Sequence, residues 1–114
     1  MKRKPGKPTP DDLVRDGLAR QEAGDLAGAE PRYRQALALD ADHPRALGLL
    51  AMILLERGAP GEALARITHA LDGTPPAAPE AAWLQLERGH ALAALDRDAE
   101  AVAAMQAAIA LDRR

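Results

Sequence analysis

The sequence predicts an all-α fold of three antiparallel helix-turn-helix hairpins, six helices in all, and three observations support the prediction. Alanine supplies 27 and leucine 17 of the 114 residues, and both are strong helix formers. Only two valines, three isoleucines and three threonines are β-branched, so little of the chain suits β-strands. The third observation is an internal repeat whose period matches a pair of helices.

Five positions recur in three copies with the same spacing in each. Each copy contains a small residue, a turn residue, a second small residue, a large apolar residue and an alanine. The copies are Gly17, Gly24, Ala29, Tyr33 and Ala36; then Ala51, Gly58, Ala63, Ile67 and Ala70; then Gly89, Asp96, Ala101, Met105 and Ala108. They lie 34 and then 38 residues apart, because four extra residues fall in the proline-rich segment 74–80. We therefore predict one domain over residues 11–114, with repeats at about 10–43, 44–77 and 82–114.

Turn residues predict the ends of the first two helices. Asp11 and Asp12 are expected to precede the first helix, which stops near Gly24. Asp25 can cap the second helix, which is predicted to run to about Leu39.

Prolines punctuate the later helices. After a break at residues 40–44, the third helix is predicted for about 44–57. Pro60 and Pro79 suit the first turns of the fourth and fifth helices, where a missing N–H is tolerated. Residues 96–98 then separate the fifth helix from the sixth.

The recurring residues have a packing role in such hairpins. Small residues such as Gly17 and Ala29 are expected where two helices cross most closely. Tyr33, Ile67 and Met105 are expected to fill the space toward the neighbouring hairpin. A larger side chain at a crossing point should destabilise the fold by overpacking.

The second half of each copy resembles the tetratricopeptide repeat pattern, A-x3-F followed by a proline. The matching residues are Ala29 with Tyr33, Ala63 with Ile67, Ala101 with Met105, and Pro75 as the closing proline. The first half departs from the pattern, since Leu13 and Leu47 replace the opening aromatic and Trp83 lies six residues before Gly89. Over about residues 10–114 the resemblance implies a right-handed superhelical array of the three hairpins.

The resemblance also implies a concave face, lined by the first helix of each hairpin, that binds a peptide or amphipathic helix of another protein. The implied groove residues are Val14, Leu18, Arg45, Met52, Leu55, Trp83, Leu86 and His90. Two interpretations of Trp83 stay open. It is either a binding anchor or a structural residue that covers the proline-rich connection or packs under the preceding hairpin. The basic and amide residues with which related proteins hold a terminal carboxylate are missing, so that ligand is not expected.

No catalytic, cofactor-binding or metal site is predicted. The chain has no cysteine and no serine, which removes the commonest nucleophiles. His43, His69 and His90 lie on three different segments, and no thiolate exists to complete a zinc site with them. Paired acids near helix starts are explained by the helix dipole.

Charge divides the chain into a basic tail and an acidic domain. Residues 1–10 carry four basic residues and no acidic one, whereas residues 11–114 have a net charge of −6. We interpret residues 1–10 as a disordered tail, with contact to an acidic surface as the alternative. The acidic balance argues against nucleic-acid binding by the folded domain. Without a signal peptide or a long apolar run, a cytoplasmic protein with no membrane association is expected, and the Ala, Gly, Arg and Pro usage favours a bacterial source.

An alternative function concerns the last hairpin. The sequence stops at Arg114, directly after the sixth helix, without the polar closing helix that terminal repeats usually need. Val102, Met105 and Ile109 are then expected to offer part of their surface to a second copy, which would give a homodimer, or to a larger enzyme or assembly that this domain targets.

Overall fold

Six α-helices follow one another along residues 6–113, the part of the chain that this computed structural model describes. They are α1 (Pro10–Glu22), α2 (Leu26–Leu39), α3 (Pro44–Glu56), α4 (Pro60–Asp72), α5 (Glu80–Ala94) and α6 (Asp98–Asp112). No strand occurs in this part of the chain, so the all-α prediction is confirmed. The helices pair as α1 with α2, α3 with α4 and α5 with α6, and successive hairpins pack through α2 against α3 and α4 against α5.

The first helix begins earlier than predicted because Thr9 caps it. The Asp12 backbone N–H donates to the Thr9 hydroxyl at 3.1 Å, and the Thr9 N–H donates to the Asp12 carboxylate at 2.9 Å. This reciprocal pair is a capping box. The hydrogen bonds from Thr9, with Arg15 nearby, lower the pKa of the Asp12 carboxyl. Asp11 and Asp12 therefore lie in the first turn, and the predicted start after them is wrong.

The predicted basic tail lies mostly outside the described residues. Residues 1–5 fall outside them, and residues 6–9 have no regular secondary structure before α1. The prediction of a disordered tail stays untested.

The three predicted turn residues share one backbone conformation. Gly24 has φ 84°, Gly58 has φ 77° and Asp96 has φ 59°. Glycine adopts positive φ without strain, and aspartate is among the few other residues that visit this region. The turn is therefore a structural element of each repeat, even where glycine is replaced.

Two of the recurring small residues, Gly17 and Gly89, lie against a side chain of the second helix of their hairpin. A Cβ added at Gly17 would collide with the ring of Tyr33, and one added at Gly89 would come within 2.7 Å of the Met105 side chain. In the first two copies the other recurring residues are almost fully buried; they are Ala29, Tyr33, Ala36, Ala51, Ala63, Ile67 and Ala70. The core of the first two hairpins forms one large cluster, which Ala91 of α5 joins, while Leu92, Ala101 and Ala104 form a separate small cluster in the last hairpin.

Candidate functional site

One side of the array is formed by the first helix of each hairpin. We call it the α1–α3–α5 face and define it by Leu18, Met52, Leu55, Trp83 and Leu86. Leu18, Met52 and Leu55 are half-buried and pack with one side against the core. Leu86 is 40% exposed. An apolar stripe therefore crosses all three hairpins.

Direct packing joins α3 and α5 on this face. A Cβ at Gly48 would lie 2.5 Å from the Trp83 ring and 2.9 Å from the Leu84 side chain. The absence of a side chain at Gly48 therefore lets the indole lie on the backbone of α3. Trp83 is half-buried and contacts the core of the first two hairpins, so its structural role is established while a binding role stays a prediction.

Val14 is not exposed on this face, although it belongs to the same predicted stripe. It is 1% exposed and lies in the core together with Leu50 and Ile53 of α3. Its core cluster also includes residues of α2 and α4. Val14 therefore stabilises the array and is unavailable to a ligand.

A hydrogen bond from the buried Tyr33 holds the two helices of the first hairpin together. The hydroxyl of Tyr33 donates to the side-chain oxygen of Gln21 at 2.6 Å, which joins α2 to α1. The Tyr33 side chain is fully buried, and this burial raises the pKa of its phenol to about 12. Tyr33 is thus a neutral, positioned donor at neutral pH.

A polar depression of about 440 Å³ lies where the starts of α1, α3 and α5 meet. It is lined by Asp11, Arg15, His43, Pro44, Arg45 and Glu80. His43 is largely buried here, and its Nδ1 accepts from the Ala46 N–H at 3.2 Å while its Nε2 donates to Asp11 at 2.8 Å. His43 therefore caps α3 and links it to α1. Arg45 and His90, the two polar groove predictions, are both exposed.

An apolar depression of about 540 Å³ lies on the last hairpin, where α5 and α6 diverge. It is lined by Pro79, Ala82, Trp83, Leu86, Met105, Ala108, Ile109 and Asp112. Ile109 is 54% exposed, and Met105 is half-buried. Two predicted groove residues, Trp83 and Leu86, thus border this depression as well as the α1–α3–α5 face.

The histidines each contact one carboxylate. The distances are 2.8 Å for His43 to Asp11, 2.6 Å for His69 to Asp42 and 3.7 Å for His90 to Glu87. Within residues 6–113 no group of three or more metal-binding side chains comes together. The first two pairs connect different segments of the chain, whereas His90 and Glu87 lie within α5.

Among the described residues, no helix is both long enough and apolar enough to cross a membrane.

Comparison with known proteins assigns the fold to a family. A model of the tetratricopeptide repeat matches residues 21–87, which is more than half of the chain, and the chain belongs to this family. The repeat resemblance in the sequence is thereby confirmed. Arrays of this family are protein-interaction modules, and the fold places this chain in that general class.

Two solved structures are similar to the chain over most of its length. The second TPR of Spaghetti (RPAP3), bound to the HSP90 peptide SRMEEVD, is 21% identical with a TM-score of 0.79 and matches 90% of this chain and 92% of that one. The MamA RS-1 ArsTM double mutant is 25% identical with a TM-score of 0.76, over 91% of this chain and 56% of that one. The chain thus spans about half of the latter protein. Comparison with curated protein sequences gives no match.

Sequence reasoning missed two features of the site. The cap at His43 carries no sequence signal, because histidine is not among the favoured capping residues. Of the depression on α5 and α6, only Met105 and Ile109 were predicted to be available to a partner on the last hairpin. Its α5 residues Trp83 and Leu86 were instead predicted to line the concave face.

Proposed function

We propose that the chain is an adaptor or scaffold domain that binds an apolar peptide or an amphipathic helix of a partner protein on its α1–α3–α5 face, and that it acts by binding rather than catalysis. The observation that carries the proposal is the stripe of half-buried Leu18, Met52 and Leu55. Each side chain is anchored on the core and still has surface to offer a ligand. Such rigid apolar anchors, spaced by helical turns, suit a helix or short peptide.

The side chains of the α1–α3–α5 face favour an apolar ligand over a charged one. Arg45 and His90 are its exposed polar members. Arg45 shares its depression with Arg15 and His43, but the carboxylates of Asp11 and Glu80 line the same depression and offset the positive charge. The similar structure of Spaghetti carries the acidic peptide SRMEEVD, which supports peptide binding as a use of this fold. Here we expect that acidic peptide to bind weakly, because Asp11 and Glu80 lie beside the arginines of this depression and would repel its carboxylates.

A peptide-display selection against the full chain tests the proposal, since it identifies the bound sequences directly. Selected peptides are expected to be rich in leucine, isoleucine or aromatic residues at helical spacing. A Met52→Glu variant places a charge in the centre of the stripe and should weaken the selected peptides by roughly tenfold or more. Leu39→Asp is the matched control, because Leu39 is an exposed apolar residue on α2, 61% accessible, and lies outside the face.

Two results would contradict the proposal. One is retention of full affinity by the Met52→Glu variant while its far-ultraviolet circular dichroism is unchanged. The other is the selection of acidic peptides that resemble SRMEEVD.

A further inference from the structure

Large apolar side chains are exposed unevenly along the array. Among the described residues, Leu39, Leu86, Val102 and Ile109 are the exposed large hydrophobic side chains. Three of these four belong to the last hairpin. An exposed apolar surface concentrated at one end of a domain is a common mark of an interaction site.

The internal repeat shows how the equivalent positions are covered in the first two hairpins. The equivalents in the first and second hairpins are Tyr33 and Ile67 for Met105, Leu37 and Leu71 for Ile109, and Val14 and Gly48 for Leu86. Tyr33 and Ile67 are fully buried, and Leu37 and Leu71 pack against core clusters. Equivalent positions therefore occur three times and are covered twice, although the second hairpin has Gly48 where the last has Leu86.

A helix covers these positions in both cases. On the second hairpin, Leu84 of α5 packs with Leu47 and Ala70, and Trp83 lies on Gly48. On the first hairpin, α3 packs against α2, and Val14 of α1 is buried in a core cluster that includes Leu50 and Ile53 of α3. The covering element is thus known from the chain itself.

We propose that the end groove, formed by Leu86, Met105, Ala108 and Ile109, binds an α-helix of a partner protein in the way that the second hairpin binds α5. The groove continues an interface that exists twice within the array. The groove shares Leu86 with the α1–α3–α5 face, but Leu18, Met52 and Leu55, which carry the peptide-binding proposal, do not border it.

The two covering helices define the chemistry of the partner helix. In α5 the buried residues that face the preceding hairpin include Leu84 and Ala91, and the equivalent residues in α3 are Ala46 and Ile53. Both pairs are seven residues apart, one small and one larger aliphatic side chain in each. The partner helix should therefore carry alanine, leucine or isoleucine at i and i+7 on an otherwise polar helix.

The first helix of a second copy does not fit this description. The equivalents of Ala46 and Ile53 on α1 are Asp12 and Ala19, both exposed. Asp12 forms an ion pair with Arg15 at 2.5 Å. Burying these charges in an apolar groove would be unfavourable, so head-to-tail association of the chain is disfavoured.

A peptide with the sequence of residues 79–95, which contains α5, is a direct probe of the groove. Fluorescence anisotropy of the labelled peptide with the full chain should show saturable binding. Ile109→Asp is expected to raise the dissociation constant about tenfold or more, since it places a charge at the groove. Leu39→Asp should leave it unchanged within about twofold, as a surface change remote from the site. A control peptide carrying Leu84→Asp should not bind.

Three outcomes would overturn the proposal. The peptide fails to bind the wild-type chain, or it binds the Ile109→Asp variant with unchanged affinity. In the third, light scattering shows a wild-type dimer that Ile109→Asp converts to a monomer, which would identify a second copy as the occupant. Met52→Glu changes the α1–α3–α5 face and leaves the end groove intact, whereas Ile109→Asp changes the end groove. The two variants therefore distinguish a failure of this proposal from a failure of the proposed peptide binding.

Discussion

Gly17 lies directly beneath the ring of Tyr33, so that this ring packs on the backbone of α1. The ring is fully buried and its hydroxyl donates to Gln21. A methyl group at Gly17 has no room unless the ring moves, and the ring is held at both ends.

Gly17→Ala should therefore lower the free energy of unfolding by about 1–3 kcal/mol through overpacking. Chemical denaturation followed by circular dichroism measures the change. Gly61→Ala is the control, because Gly61 lies in α4 with no atom within 4 Å of an added Cβ. That substitution should instead stabilise the protein by roughly 0.5–1 kcal/mol. Equal effects at the two glycines would show that Tyr33 is not held in place.

The phenol of Tyr33 should lose its proton at a higher pH than an ordinary tyrosine. Burial raises the pKa of its phenol from 10.0 to about 12, and it is the only tyrosine in the chain, so tyrosinate absorbance reports this one group. As the pH rises, the unfolded chain loses the proton first. The stability from the neutral phenol is therefore complete below pH 10 and is lost between pH 10 and about 12.

A Tyr33→Phe variant should lose most of this alkaline dependence of the denaturation midpoint. The measurement is a series of denaturant melts at rising pH for the two proteins. A wild-type phenol that titrates at its ordinary value, while the fold is intact, would be inconsistent with its burial.

His43 should stabilise the fold mainly as the cap of α3. His43→Ala removes the acceptor for the Ala46 N–H and should lower the free energy of unfolding by about 1–2 kcal/mol. His43→Asn keeps a capping oxygen and loses only the hydrogen bond to Asp11, whose side chain is 80% exposed. Since exposed pairs contribute little, asparagine should recover most of the stability. Equal loss in both variants would assign the effect to the Asp11 contact.

Trp83 should stabilise the array even in the absence of a partner. Its ring joins α5 to α3 through Gly48, and Trp83→Ala should lower the free energy of unfolding by about 2–3 kcal/mol, somewhat less than for a fully buried aromatic residue. His90→Ala, on the exposed part of the same helix, should change it by less than about 0.5 kcal/mol. Unchanged stability of the Trp83→Ala variant would make the ring a dedicated binding anchor.

The hairpins and their turns were predictable because their signals are local. Small residues at fixed spacing before Tyr33, Ile67 and Met105 predict crossing helices, and Gly24 and Gly58 predict the turns. The equivalence of Asp96 to these glycines was visible only through the repeat, and its positive φ confirms it.

Other features depend on distant partners and could not be derived from periodicity. The apolar pattern of α1 places Val14 and Leu18 in one stripe, yet the packed array buries Val14 and leaves Leu18 half-exposed. The start of α1 depends instead on a local pair, Thr9 with Asp12, which lies next to a proline-rich segment that favours an extended chain. Which apolar surface remains open is decided by the packing of whole hairpins.

Peptide binding on the α1–α3–α5 face is tested most directly by the footprint of a selected peptide on the full chain, measured by nuclear magnetic resonance chemical-shift changes. We expect the largest changes at Leu18, Met52 and Leu55, with little change on α2, α4 and α6. Changes confined to those outer helices, or to Met105 and Ile109 alone, would contradict binding on the α1–α3–α5 face.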